Sequence, residues 1–474
     1  VQGLLLIANT STFSPTLSGL SSSEIGKKLS ATYVLTGSVA RDEDGLDVTT
    51  EMSDATSGRI LWTHRSRAGG AALATIEYDI LDRLIPFLID DLGAEHVDSE
   101  SRRVSRDPQV HMALLQVHEA YLDAFTALSQ NEPDLVAANV ELALSLLDEI
   151  LERDPQNADA LIQLHRLNYT GFFAAGTQIE RHHSIANEWR REGLVAEALR
   201  YDPNNVEALV WMANEYRKGI SGWDEAERLF KRAIALDPNN VFARTWYTYW
   251  LTVVGRCLEA VEQADIAIAL DPETAWRRLA APRTRSCAGR LDEATLLYKR
   301  ALGEEPANQF LVREVYLYAL MQQDVDVLRE WIAFIRDEVW NQAPPEDVAG
   351  WLERMEAAQD ALMGDPSGSL AIINTVGRDR MSSLDLPRLV ADEAFMLAVE
   401  AAFTGNTDAA IEFLTDAVNG GSTYIGSALP AGRFEFTEAV REDPAYKALW
   451  RGDPGLAELV ERRRYAASHG LMTD

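Results

Sequence analysis

The chain has 474 residues, 44 basic and 74 acidic, and a net charge of −30 at pH 7. That balance argues against nucleic-acid binding by this segment, because phosphate contacts need a basic surface, and against anionic membranes. Two cysteines, Cys257 and Cys287, exclude a disulfide-dense scaffold and a cysteine-based zinc site. No apolar run approaches the roughly 20 residues that span a bilayer. The first residue is Val1 rather than Met, so the sequence reads as a fragment, and any upstream signal, anchor or domain is not visible in it.

Residues 1–98 read as a small α/β region. Gly3 to Ala8 is a candidate for a buried strand. Ser21 is an N-cap candidate for a short helix with Ile25 and Leu29 on one face. Three strand signals follow. Tyr33 to Val39 is rich in β-formers, Leu46 to Met52 alternates, and Arg59 to Trp62 comes after a turn at Asp54 to Gly58. Leu73 to Leu92 carries Ile76, Ile80, Leu84 and Leu88 at helical spacing. Residues 99–109 are polar and charged, a linker.

From residue 110 onward the signals are helical. Dipeptides with Pro155, Pro203, Pro238, Pro272 and Pro306 are spaced by 48, 35, 34 and 34. Gly255 to Ala260 matches Gly289 to Ala294. Ala226/Phe230/Ala233, Ala260/Ala264/Ala267 and Ala294/Tyr298/Ala301 recur in step. Each unit predicts two antiparallel helices that meet at the small residues, a Gly turn within the unit, and a Pro that opens the next helix. A single unit cannot bury its apolar face, so units must stack. The 48-residue spacing predicts an insertion near Gly171 to His183. A partial copy starts at Gln309, and the pattern fades near Pro344 and returns from Gly405 to Ala417. Helices between Pro444 and Arg464 are expected to cap the array.

A 34-residue period with small–large–small spacing resembles the tetratricopeptide repeat (TPR). The resemblance implies a mostly α fold, a right-handed helical solenoid preceded by a small α/β domain docked on its N-terminal end. Expected boundaries are 1–98 for that domain, 99–109 for the linker, 110–343 for the array and 344–474 for degenerate repeat-like helices and a cap. Tyr33 to Val39, Leu46 to Thr49, Asp54 to Gly58 and Leu61-Trp62 also resemble bacterial modules of the TolB N-terminal and FlgO-like kind. In that family the module sits between an upstream effector, a winged-helix or nucleotide cyclase domain, and downstream TPRs.

No catalytic constellation, cofactor motif or metal motif stands out. His182 and His183, with His165, are expected to be ordinary surface residues. In the TPR family, four positions of the first helix of each repeat face inward. Carried over, these are Glu207, Val210, Asn214 and Arg217, then Phe242, Thr245, Tyr249 and Thr252. Trp276, Leu279, Arg283 and Ser286 follow, then Phe310, Arg313, Leu317 and Leu320. Asn214, Tyr249 and Arg283 share one row, with Arg217 and Arg313 close by. Arg and Asn there predict capture of a peptide carboxylate, with Phe242, Trp276 and Phe310 giving apolar contact. The alternative is an inner face whose arginines pair with carboxylates of the same chain. Arg277, Arg278, Arg283, Arg285 and Arg290 form a basic cluster interrupted by Pro282 in mid-helix. Trp211, Trp223, Trp246 and Trp250 are expected to pack between helices. Cys257 and Cys287 are expected to be neighbours in the core, as free thiols or, in an oxidising compartment, a disulfide.

The expected function is non-enzymatic: an interaction or sensing module of a bacterial signalling or transcription-regulatory protein, with a protein or peptide partner on the inner face. Two alternatives stand beside it, a regulatory segment of a nucleotide cyclase and an envelope-assembly scaffold. The compartment, cytoplasmic or periplasmic, depends on whether a transmembrane helix precedes Val1.

Overall fold

The computed structural model describes residues 4, 6–12, 15–42, 45–68, 73–94, 107–129, 132–169, 193–216, 222–254, 256–272, 279–306, 309–339, 346–373, 387–419 and 436–452. It is a mostly α protein preceded by a small three-stranded antiparallel sheet.

After a short helix α1 (Asn9–Thr12), helix α2 (Ser22–Leu29) opens on a capping box. The Ser21 side chain accepts from the Glu24 amide, and the Glu24 carboxylate accepts from the Ser21 backbone N–H. Strands β1 (Tyr33–Asp42), β2 (Gly45–Asp54) and β3 (Ile60–Ala68) form a meander in sequence order. Leu35 faces Met52 and Met52 faces Trp62, with an irregularity after Met52. Helix α3 (Leu73–Asp90) lays Leu84 and Leu88 on Met52, and the Trp62 and Phe87 rings stack at 6.2 Å. Gly26 lets α2 touch the β2–β3 turn: a Cβ there would stand 2.2 Å from the Ala55 Cβ.

The buried strand expected over Gly3 to Ala8 is not found among its described residues. Gly3 and Leu5 lie outside the described residues, and residues 6–8 are not in a strand. They run instead along the helical array, where the Ala8 amide donates to the Leu270 carbonyl at 2.6 Å. The hydrogen bonds from residues 4–12 reach Asn239, Leu270 and Asp271, so they anchor this segment to the middle of the array rather than to its first helices.

The array begins with α4 (Pro108–Ser129) and α5 (Pro133–Arg153), so the last two linker residues already belong to a helix region. Helices α6 (Ala158–Tyr169) and α7 (Leu194–Tyr201) come next, on either side of the expected insertion, which lies outside the described residues. Three pairs follow: α8 (Val206–Tyr216) with α9 (Trp223–Leu236), α10 (Val241–Val253) with α11 (Cys257–Leu270), and α12 (Ala280–Cys287) with α13 (Leu291–Glu304). The expected partial copy is α14 (Gln309–Met321) with α15 (Val325–Phe334).

The second helices start at Trp223, Cys257, Leu291 and Val325, each 34 residues after the last. Ala226, Ala260 and Ala294 are fully buried, as are Phe230 and Ala264. Small side chains let the helices approach, and the larger residue one turn on fills the space between them.

The prolines do not open the next helix. Pro155, Pro203 and Pro238 sit in the turn, and asparagines two residues later do the capping. Asn157, Asn205 and Asn240 accept from the amides of Ala160, Ala208 and Ala243, each at 2.9 Å. Proline keeps its role of ending the preceding helix, while the asparagine side-chain oxygen satisfies one of the otherwise unpaired N–H groups in the first turn of the next helix. Pro282 is likewise not in mid-helix. It is the third residue of α12, within the first turn, where its missing N–H costs little.

Beyond residue 340 the chain continues with α16 (Glu346–Leu362), α17 (residues 367–373), the pair α18 (Pro387–Phe403) and α19 (Thr407–Asn419), and the short helices α20 (Glu438–Glu442) and α21 (Pro444–Gly452). They share one apolar core with α13, α14 and α15. Residues 453–464 of the expected cap lie outside the described residues.

Candidate functional site

The first helices of successive pairs, α6, α8, α10, α12 and α14, carry the side chains expected to line the inner face. On α8, residues 207, 211 and 214 follow helical spacing and so share one face. On α10 the matching residues are Phe242, Trp246 and Tyr249.

These two helices build a continuous aromatic wall. The Trp211 ring lies 5.5 Å from Phe242 and 5.5 Å from Trp246, and Trp246 meets Tyr249 edge-on at 6.0 Å. Phe242, Trp246 and Tyr249 are half-buried, while Trp211 is buried. Trp211 and Trp246 thus belong to the wall as well as to the packing. His165, expected on the surface, is half-buried with its ring 4.9 Å from Trp211.

Asn214 lies one turn along α8 from Trp211. It is 3% exposed, and neither its amide nitrogen nor its amide oxygen has a hydrogen-bond partner among the described residues. Leaving both halves of a buried amide unsatisfied costs free energy, so stability alone does not account for this side chain.

The charged neighbours are committed. Arg166 on α6 lies over the Tyr121 ring at 3.7 Å and 3.6 Å from the Glu207 carboxylate, which also accepts from Gln163 at 3.2 Å. Burial pushes the Glu207 carboxyl above its usual range, against the opposing pull of Arg166.

Arg283 is 2.5 Å from the buried Glu314 carboxylate and 5.7 Å from the Tyr249 ring centroid. The expectation that Arg283 offers its fork to a peptide carboxylate is therefore corrected: Glu314, one pair further on, already supplies the carboxylate. Arg285 in the same cluster pairs with Asp265 at 2.6 Å, while Arg277 and Arg278 lie outside the described residues.

Thr245 is buried and its hydroxyl donates to the Val241 carbonyl at 2.8 Å, the local back-bond common for threonine inside helices. Arg313 is half-buried on α14 beside Glu314. Arg217, Trp276, His182 and His183 lie outside the described residues, as does the side chain of Phe310. The structure thus brings Asn214, Phe242 and Tyr249 onto the Trp211–Trp246 wall and gives Arg283 an internal partner. Glu314 was missed because inward positions were carried over at fixed helix offsets that skip it. Its signal was only a lone carboxylate next to Arg313.

A second buried polar group lies outside this face. The Arg354 guanidinium donates to Glu393 at 2.6 Å and to Glu400 at 2.6 and 2.9 Å, and the Tyr316 hydroxyl donates to the same Glu400 oxygen. All four side chains are buried within the shared C-terminal core. Burial pushes the Glu400 carboxyl up, opposed by Arg354.

Cys257 and Cys287 are joined by a disulfide across a Cα–Cα distance of 5.3 Å, so the two residues are neighbours as expected but not free thiols. It ties the start of α11 to the end of α12. Among the described residues no group of three metal-binding side chains is found, and no helix is long and apolar enough to cross a membrane.

No protein-family model matches the chain. It is similar to a protein of Rhizobium meliloti (strain 1021) named "Putative adenylate cyclase 3", with 28% identity over 199 residues, which are 39% of this chain and 34% of that protein. The chain spans about a third of the length of this curated relative.

Proposed function

We propose that this chain is a non-enzymatic interaction module of a bacterial signalling protein, built as a TPR array that holds a protein or peptide partner on its inner face. The observation that carries the proposal is Asn214. A buried amide with an unused donor and an unused acceptor, beside a wall of Trp211, Phe242, Trp246 and Tyr249, suits an extended peptide. Both polar atoms of the amide are shielded from solvent in the unliganded chain, so binding requires a side-chain rearrangement that brings them to a main-chain N–H and C=O, while the half-buried rings of Phe242, Trp246 and Tyr249 cover apolar side chains. The 34-residue spacing of the second helices supports the TPR reading.

Among the signalling contexts, the similarity to the adenylate cyclase-named protein favours a segment that regulates a nucleotide cyclase over a transcription-regulatory or envelope-scaffold role. In this reading the module carries no chemistry of its own, and its output is a change in the activity of a cyclase domain.

The test is selection of binding peptides from a random display library on the immobilised chain. Recovered peptides should quench tryptophan fluorescence on binding, and Asn214→Ala should weaken them by about tenfold, the worth of one or two buried hydrogen bonds. Peptides that bind Asn214→Ala and the parent chain equally would remove the inner face from the account.

A further inference from the structure

The turns between helix pairs repeat the sequence Asp-Pro-x-Asn; in the first and third the Asn donates to the Asp of its own turn, whereas Asn205 of the second donates to Asp159 at 2.7 Å. Asn157 donates to Asp154 at 3.0 Å, and Asn240 donates to Asp237 at 3.2 Å. In the turn before α8, Arg232 of α9 reaches back and donates to the Pro203 carbonyl at 3.1 Å and the Asn204 amide oxygen at 2.7 Å.

One unit later two of these residues change. Ile266 takes the place of Arg232, 34 residues on, so the arginine that engages Asn204 has no counterpart facing Asn239. Thr274 takes the place of the asparagine three residues after Asp271, so that carboxylate has no amide at the repeat position.

Both departures are answered by residues 4–12. The Asn239 amide donates to the Leu4 carbonyl at 3.0 Å and accepts from the Leu6 N–H at 3.4 Å, reading the main chain on both sides. Ala8 packs with Ile266 against Val241, Ala267 and Leu270, and its amide donates to the Leu270 carbonyl. The Ser11 hydroxyl donates to Asp271 at 2.5 Å, and both residues are fully buried.

We infer that Asn239, Ile266, Leu270 and Asp271 form a peptide-docking edge whose occupant is residues 4–12 of the same chain, a strap that ties the N-terminal module to the middle of the array. The edge takes a segment that is non-helical up to Ala8 and then turns into helix α1, with a small side chain at Ala8 and a hydroxyl three residues later at Ser11. Asn239 supplies main-chain recognition and Asp271 reads the hydroxyl. The edge is separate from the inner face, so it stands whether or not that face binds a peptide.

Hydrogen–deuterium exchange of the full chain reads the strap directly. The parent chain should protect residues 4–12, with the Ala8 amide slowest. Ile266→Arg, which restores the arginine used one unit earlier, should speed exchange across residues 4–12 by about tenfold or more while helices 206–270 keep their protection. Ser11→Ala leaves the array untouched and should give a smaller increase, which keeps the test decisive if Ile266→Arg does not fold. Exchange of residues 4–12 at the rate of an unstructured peptide in the parent chain would overturn the inference. So would protection unchanged in both variants. Protection that rises with protein concentration would assign the edge to a second copy and overturn the same-chain strap.

Discussion

Gln323 holds, 34 residues after Gly289, the same place in the turn between paired helices, and it does so with a left-handed backbone. Its φ is +52°, against +76° at Gly289, and each is followed two residues later by the first residue of a second helix. Glycine adopts that conformation at no steric cost, whereas a side chain bearing Cβ meets the following carbonyl. Gln323→Gly should therefore stabilise the chain by about 0.5–1 kcal/mol. Chemical denaturation would show a higher midpoint at unchanged slope. A lower midpoint would mean that the Gln323 side chain makes contacts worth more than the backbone strain.

The disulfide between Cys257 and Cys287 closes a loop of 30 residues across two helix pairs. Removing it by Cys257→Ser with Cys287→Ser should cost about 3 kcal/mol, chiefly because the unfolded chain regains the freedom of that loop. Thermal melts with and without a reductant, together with thiol titration of the denatured chain, check this. Two titratable thiols in the untreated protein would contradict the bond.

Arg354 neutralises two buried carboxylates, and nothing else charged is seen to face them among the described contacts. Arg354→Met should destabilise by about 3–5 kcal/mol, because Glu393 and Glu400 then stay buried without a cation. Replacing all three charges together, with Glu393→Leu and Glu400→Leu added, should recover most of that loss. Urea unfolding followed through Trp351 fluorescence distinguishes the two variants. Equal losses would show that packing, not charge, sets the cost.

Asp79 joins α3 to β3 by accepting from Ser66 at 2.5 Å, with His64 Nε2 at 2.8 Å. These two bonds, Ser66 first, hold its carboxyl below the usual range. A lowered folded pKa adds stability above the unfolded value of about 4, and that stability is lost as pH falls through the folded value. The packing of α3 on the sheet should weaken on acidification below about pH 4, and Asp79→Asn should flatten that part of the profile. Trp62 fluorescence against pH is the readout; identical acid limbs in both proteins would rule the linkage out.

The repeat was legible because its marks are local. Ala226, Phe230 and Ala233 return one unit later as Ala260, Ala264 and Ala267, and such spacing survives any packing detail. The capping box at Ser21 and the alternation of β2 were equally readable. The role of Pro238 was not, since an Asn two residues later is as common in loops as in caps and only the bond from Asn240 to the Ala243 amide decides it. The partners of Arg283 and Ser11 were invisible for a different reason. Glu314 and Asp271 are 31 and 260 residues away, and stacking alone brings them near. Gly3 to Ala8 misled because an apolar run of strand length also suits a segment laid across helices.

On the proposed reading of the inner face, stability and recognition pull apart at Asn214, and one variant reads both. Asn214→Leu replaces a buried, unsatisfied amide by an apolar side chain of similar size, so the unliganded chain should gain about 1–2 kcal/mol. The same variant should lose the binding of library-selected peptides by at least about tenfold, because a Leu offers neither donor nor acceptor. A higher melting temperature together with lost peptide binding is the result the account predicts. A lower melting temperature with peptide binding intact would show Asn214 to be part of the core alone, and would contradict a binding site on the inner face.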